Sequence, residues 1–132
     1  MEELKPAAES AVRALTSFES IFSEPYSVIV RDAAIQRFEF TFEAVWKYLK
    51  TYLSIREGIV CASPKSCFRH AFQVELMDED QTVTALEMVD DRNRTVHTYH
   101  EEVARAIWER LPGYLGIMKL LVERMAHTDA SP

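Results

Sequence analysis

The stretch IQRFEFTFEAVWKYLKTYL, Ile35 to Leu53, decides the fold class. Ile35, Phe38, Phe42, Val45, Leu49 and Tyr52 recur at alternating steps of three and four, and Trp46 and Leu53 widen the stripe. That period is helical. Read outward, it predicts one helix from about Ser27 to Glu57, with Gly58 placed as its C-terminal stop. At 1.5 Å per residue the helix is about 45 Å long, close to the full length of a small bundle. A stripe this wide packs against more than one neighbour. Aromatic residues at this spacing read as core rather than as a cofactor site.

Both flanks continue the pattern. Leu4, Ala8, Ala11, Val12, Leu15, Phe18 and Phe22 form an amphipathic helix over the first 23 residues, closed by Ser23-Glu24-Pro25. Ser63-Pro64 reads as an N-cap followed by proline at the first helical position. The helix it opens should run to about Leu76 and bury Cys67, Phe68, Ala71 and Phe72. An acidic loop around Met77 to Asp80 follows. Another helix is expected from Gln81 to about Thr95, with Leu86 and Val89 inward. Thr98 with Glu101 reads as a capping box for a last helix, in which Val103, Ile107, Leu111, Tyr114, Met118, Leu121 and Met125 make one stripe. Pro112-Gly113 interrupts that stripe, so a kink or break is expected near Trp108 to Pro112. The tail from about His127 is expected to fray.

At 132 residues, 48% hydrophobic and 27% charged, with three glycines and five prolines, the chain reads as one all-α domain over residues 1–132. It has no charged-then-apolar leader and no apolar run near about twenty residues, so a cytoplasmic place and no membrane association are expected. Cys61 and Cys67, in CASPKSC, lack the CxxC spacing of a redox or zinc pair. Even with His70 they make a poor ligand set. Two reduced cysteines at the start of a helix are expected, with no metal and no cofactor. The net charge of −6 argues against nonspecific grip on a polyanion. Glu75 to Asp91 holds seven acidic residues and no Lys or Arg, either an acidic face for a basic partner or a solvated acidic loop.

The densest polar segment is DDRNRTVHTYHEE, Asp90 to Glu102. Arg92 and His97 are five apart, which on one helix would aim them about 140° away from each other. A helix end between them lifts that restriction and lets both side chains converge. Guanidinium holds a phosphate by two parallel hydrogen bonds. Imidazole, titrating near about 6.5, moves protons between oxygens. Together they can cleave RNA without a metal, histidine activating the ribose 2′-hydroxyl and arginine holding the phosphorus centre. The alternative is that Arg92 pairs with Asp90, Asp91 or Glu87 and that His97 is only a polar residue at a helix end.

Arg92-Asn93-Arg94-Thr95-Val96-His97-Thr98-Tyr99 resembles the signature of HepT-type proteins of the HEPN superfamily: arginine, four residues, histidine, any residue, tyrosine. Ile35 to Leu53, Ser63 to Phe72 and His97 to Trp108 resemble the second, third and last helices of the branch called nucleotidyltransferase substrate-binding proteins. The match covers roughly Arg31 to Leu121. It departs where the family often has a tryptophan upstream of the motif and this chain has TALEMV, and at Pro112-Gly113. The resemblance implies an antiparallel bundle of about five helices around a four-helix up-and-down core, like the helical C-terminal domain of kanamycin nucleotidyltransferase. It implies a homodimer with both motifs lining one cleft, and a minimal nucleotidyltransferase as partner. Arg92 and His97 would be catalytic in a ribonuclease toxin, with Asn93 supporting them and RNA as substrate. Tyr99 would be the acceptor of AMP from the neutralising partner. The alternative it implies is a non-catalytic subunit that binds substrate for the nucleotidyltransferase.

Overall fold

The computed structural model describes residues 4–130. Among them are five α-helices and no strand: α1 (Leu4–Ser20), α2 (Val28–Glu57), α3 (Pro64–Gln73), α4 (Glu79–Arg94) and α5 (Glu101–Ala130). Short 3₁₀ turns follow α1 at Ile21–Ser23 and α4 at Thr95–His97. The helices form the expected antiparallel bundle. The long α2 packs against α1, α3, α4 and α5, and α5 also packs against α1 and α4. No helix among the described residues is long and apolar enough to cross a membrane.

The ends of α2 and the start of α3 form as their residues dictate. Extended Ser27 accepts from the Val30 N–H at 3.0 Å. Gly58 closes α2 with φ at 68°, a left-handed conformation that costs glycine least. Ser63 accepts from the Ser66 N–H, and Pro64 occupies the first turn without a donor to lose. The apolar stripe of α2 is buried along its length: Ile35, Phe38, Phe42, Val45, Leu49, Tyr52 and Leu53 are each 3% exposed or less. Phe38 is the hub of an aromatic chain. Its ring lies 6.2 Å from Phe18 of α1, 6.3 Å from Phe42, and stacks at 5.6 Å on Tyr114 of α5. Phe42 carries the chain on to Phe68 of α3 at 6.3 Å.

Five expectations are corrected. The cysteines are not free: Cys61 and Cys67 form a disulfide, because the loop after Gly58 folds Cys61 inward and brings the two Cα atoms to 5.4 Å, within bridging range. Thr98 does not cap α5. It sits in the helical region at φ −72°, where a capping residue must be extended, and its hydroxyl donates to the Thr95 carbonyl at 3.1 Å. The first turn of α4 starts earlier than expected, because Asp78 and Gln81 form a reciprocal capping box. The last helix has no break at Pro112: α5 runs continuously over Glu101–Ala130. Leu111 and Tyr114, on either side of that proline, are buried in the core, so packing holds the turn that proline weakens. Finally, Val12 and Phe72 face outward, at 52% and 44% exposed.

Candidate functional site

The site is built on the last turn of α4. Thr82, Ala85, Met88, Val89 and Asp91 are its inward residues. Asp91 therefore points into the bundle, where a bare carboxylate would be costly. Two residues of α5 one turn apart meet it. Arg110 donates twice, Nε to Oδ2 at 2.6 Å and Nη2 to Oδ1 at 2.8 Å, and the Tyr114 hydroxyl donates to Oδ2. Arg94 adds a second cation, donating from Nη1 to Oδ1 at 2.8 Å. Burial alone would raise the pKa of Asp91, but the hydrogen bonds from Arg110, Tyr114 and Arg94 outweigh it and hold the carboxyl below its usual value. Burial, then the bond to Asp91, drives the Tyr114 hydroxyl in the opposite direction, upward. This cluster locks the end of α4 to α5.

With Asp91 fixed inward, the next residues turn by about 100° each. Arg92 swings toward α2, its Nη1 lying 3.5 Å from Glu39 Oε2 and donating to Thr95 Oγ1 at 3.2 Å. The Thr95 hydroxyl is itself 2.9 Å from Glu39 Oε2 and 2.7 Å from the Arg92 carbonyl. Asn93 turns out to solvent. Arg92 and Asn93 together line a cavity of about 500 Å³ whose other walls are Phe42, Glu43 and Trp46 of α2, Ser63, Pro64 and Lys65 at the start of α3, and Val89. A second cavity of about 570 Å³, near Glu75, Asp78 and Arg124, holds none of the motif residues.

His97 and Tyr99 lie past the helix end, both exposed. Imidazole Nδ1 is 3.2 Å from the Tyr99 hydroxyl, and the rings meet edge to face at 5.9 Å. Tyr99 is 74% exposed. The structure thus brings Arg92 with Asn93 and His97 with Tyr99. No hydrogen bond joins Arg92 to His97, and His97 is not in the cavity wall. Arg92 pairs with none of Asp90, Asp91 or Glu87; its carboxylate is Glu39, far off in sequence.

Of the acidic segment, Glu75, Asp78, Glu79, Asp80 and Glu87 are exposed. Asp78 caps a helix, Asp90 pairs with Lys65 at 2.7 Å, and Asp91 is buried. Sequence reasoning missed Glu39, Thr95 and the Asp91 cluster. A signal for the last was present: Asp91 continues the inward stripe of α4, and Arg110 and Tyr114 share one face of α5 at a spacing of four. It also missed the buried Arg31, whose Nη1 donates to Glu101 at 2.7 Å and ties the start of α2 to that of α5.

Comparison with known proteins fits this architecture. A comparison with curated proteins gives no match. A crystal structure of a protein from Thermus thermophilus is 49% identical, covers 87% of this chain and 98% of its own, and superposes with a TM-score of 0.84. A tri-AMPylated Shewanella oneidensis HEPN toxin, solved in complex with an MNT antitoxin, shares the fold at 14% identity, with coverage of 94% and 96% and a TM-score of 0.75. A Haemophilus influenzae protein, described as revealing the fold of a substrate-binding domain of a nucleotidyltransferase, does so at 23% identity, with coverage of 95% and 98% and a TM-score of 0.61. The family model described as nucleotidyltransferase substrate binding protein like matches residues 6–127, and the chain belongs to that family.

Proposed function

We propose that the chain is the helical partner subunit of a minimal nucleotidyltransferase in a two-gene toxin–antitoxin pair, and that it acts as a metal-independent HEPN endoribonuclease. The observation that carries this reading is the intact Arg92, Asn93, His97, Tyr99 set on the turn that ends α4, with His97 and Tyr99 in solvent. The fold shared with an AMPylated HEPN toxin, which was solved in complex with an MNT antitoxin, supports it. In the proposed reaction His97 takes the proton from a ribose 2′-hydroxyl. The 2′-oxygen attacks phosphorus, the bond to the 5′-oxygen breaks, and that oxygen leaves with the proton that His97 took up. The products are a 2′,3′-cyclic phosphate and a 5′-hydroxyl end. Arg92 balances the charge that builds on the phosphoryl oxygens.

Within one subunit Arg92 turns to α2 and His97 to solvent. The reading therefore has a homodimer bring together the motifs of both subunits in one cleft. Tyr99 is the proposed acceptor of AMP. Its hydroxyl contacts His97 Nδ1, so an adenylyl group on that oxygen would crowd the base and block the approach of RNA. Incubated with RNA, the protein should cut it, and His97→Ala should cut at least about a hundredfold more slowly, the lower range for loss of a general base. Equal cutting by both proteins would end the reading.

A second reading, a non-catalytic substrate-binding subunit of the nucleotidyltransferase, is favoured by the engagement of His97 with Tyr99 instead of Arg92. It predicts a stable complex with a nucleotidyltransferase encoded next to this chain, whose activity is unchanged by His97→Ala. A pull-down that recovers no nucleotidyltransferase would count against it.

A further inference from the structure

Among the described residues, two buried side-chain polar atoms have no hydrogen-bond partner, Trp46 Nε1 and Arg92 Nε. Both residues line the same cavity between α2, α3 and α4. Leaving a buried donor unmade costs about 1–3 kcal/mol. Buried polar atoms are ordinarily satisfied, so two orphans in the wall of one cavity mark a place for an external acceptor. Indole and guanidinium N–H groups only donate, and so does the ammonium of Lys65, a third wall residue. What fits must accept from all three.

Charge narrows the choice. Lys65 and Arg92 are the cations of the wall. Lys65 bridges Asp90 with each side chain substantially exposed, and the Arg92 bridge to Glu39 is long at 3.5 Å. Both orphan donors are buried, so each side chain must turn to offer its N–H to a ligand in the cavity, and for Arg92 that turn competes with the contacts of Nη1 to Glu39 and Thr95. The carboxylate of the wall, Glu43, lies 3.5 Å from Lys47. Phe42, Pro64, Val89 and the Trp46 ring supply apolar wall. The volume of about 500 Å³ is that of a small-ligand site.

We infer that this cavity binds the phosphate group of a ribonucleotide, free or within an RNA chain, through Trp46, Arg92 and Lys65. Arg92 also belongs to the proposed cleavage set, so the inference deepens that reading and rests on it for the RNA source. Trp46 and Lys65 are new binding residues that the cleavage set does not contain.

The orphan donors can be observed directly in a ¹H–¹⁵N correlation spectrum of the full chain. The chain has two tryptophans, so two indole peaks arise, and Trp46→Phe identifies one while keeping a ring in place. The probes are inorganic phosphate, a 5′-ribonucleoside monophosphate, the same nucleoside without phosphate, and a short single-stranded oligoribonucleotide. His97→Ala protein is used so that the oligonucleotide stays whole. The expected result is a saturable shift of the Trp46 indole and the Arg92 Nε–H with each phosphate-bearing probe, no shift with the nucleoside, and a still Trp108 peak. Lys65→Ala should weaken the binding about tenfold. A monophosphate that outcompetes the oligonucleotide assigns the site to free nucleotide, and the reverse order assigns it to RNA. A Trp46 peak unmoved by every probe, or moved equally by the bare nucleoside, overturns the inference. Cleavage that ignores His97 while the shifts persist removes the ribonuclease reading and leaves the cavity's role standing.

Discussion

Asp91 has no exposed side-chain surface, and its four hydrogen bonds come from Arg110, Arg94 and Tyr114. Removing its charge strands those donors. Asp91→Asn should cost about 3 kcal/mol, the low end for a broken buried pair, because Arg94 and Arg110 still reach water. A urea melt followed by circular dichroism measures it. The pH dependence has a definite sign. The folded pKa of Asp91 lies below its unfolded value, so its contribution is complete above about pH 4 and fades as pH falls through the folded value. Between about pH 5 and about pH 2 the wild type should lose more stability than Asp91→Asn; parallel losses would contradict the assignment. The motif residues were legible because Arg92, His97 and Tyr99 stand in a spaced pattern. Their partners were not, since Glu39 lies far upstream and only the packing of α4 on α2 brings it to Arg92.

The helices divide by how local their signals are. The limits of α2 follow from Ser27 and Gly58 alone, and those residues act within one turn. The start of α5 is not local. Thr98 and Glu101 have the spacing of a capping box, but the 3₁₀ turn holds Thr98 in helical geometry, and Glu101 is taken by Arg31. Pro112 likewise breaks helices by propensity and fails to break α5 because its neighbours are buried. Gly113 and Gly116 follow it, and a Cβ added at either meets nothing. Gly113→Ala and Gly116→Ala should therefore each stabilise the protein by about 0.5–1 kcal/mol. Gly58→Ala, at a left-handed φ, should destabilise it by about 1 kcal/mol. Thermal melts of the three variants check both signs.

For the whole molecule, the helical period of the apolar residues was enough to read the bundle, because the core is one continuous cluster that joins all five helices. The disulfide was illegible, since spacing alone does not say that the loop after α2 carries Cys61 back to Cys67. In the chain-entropy view, closing so short a loop stabilises by about 2 kcal/mol. Reduction by a dithiol should lower the melting temperature of the wild type and leave that of a Cys61→Ala, Cys67→Ala protein unchanged. The functional claim rests on the turn at the end of α4, and the ends of the RNA fragments test it most directly. With a chelator present, a defined RNA should give 2′,3′-cyclic phosphate and 5′-hydroxyl ends, and both Arg92→Ala and His97→Ala should lose them. Uncut RNA, or the same ends in equal yield from His97→Ala, would contradict that claim.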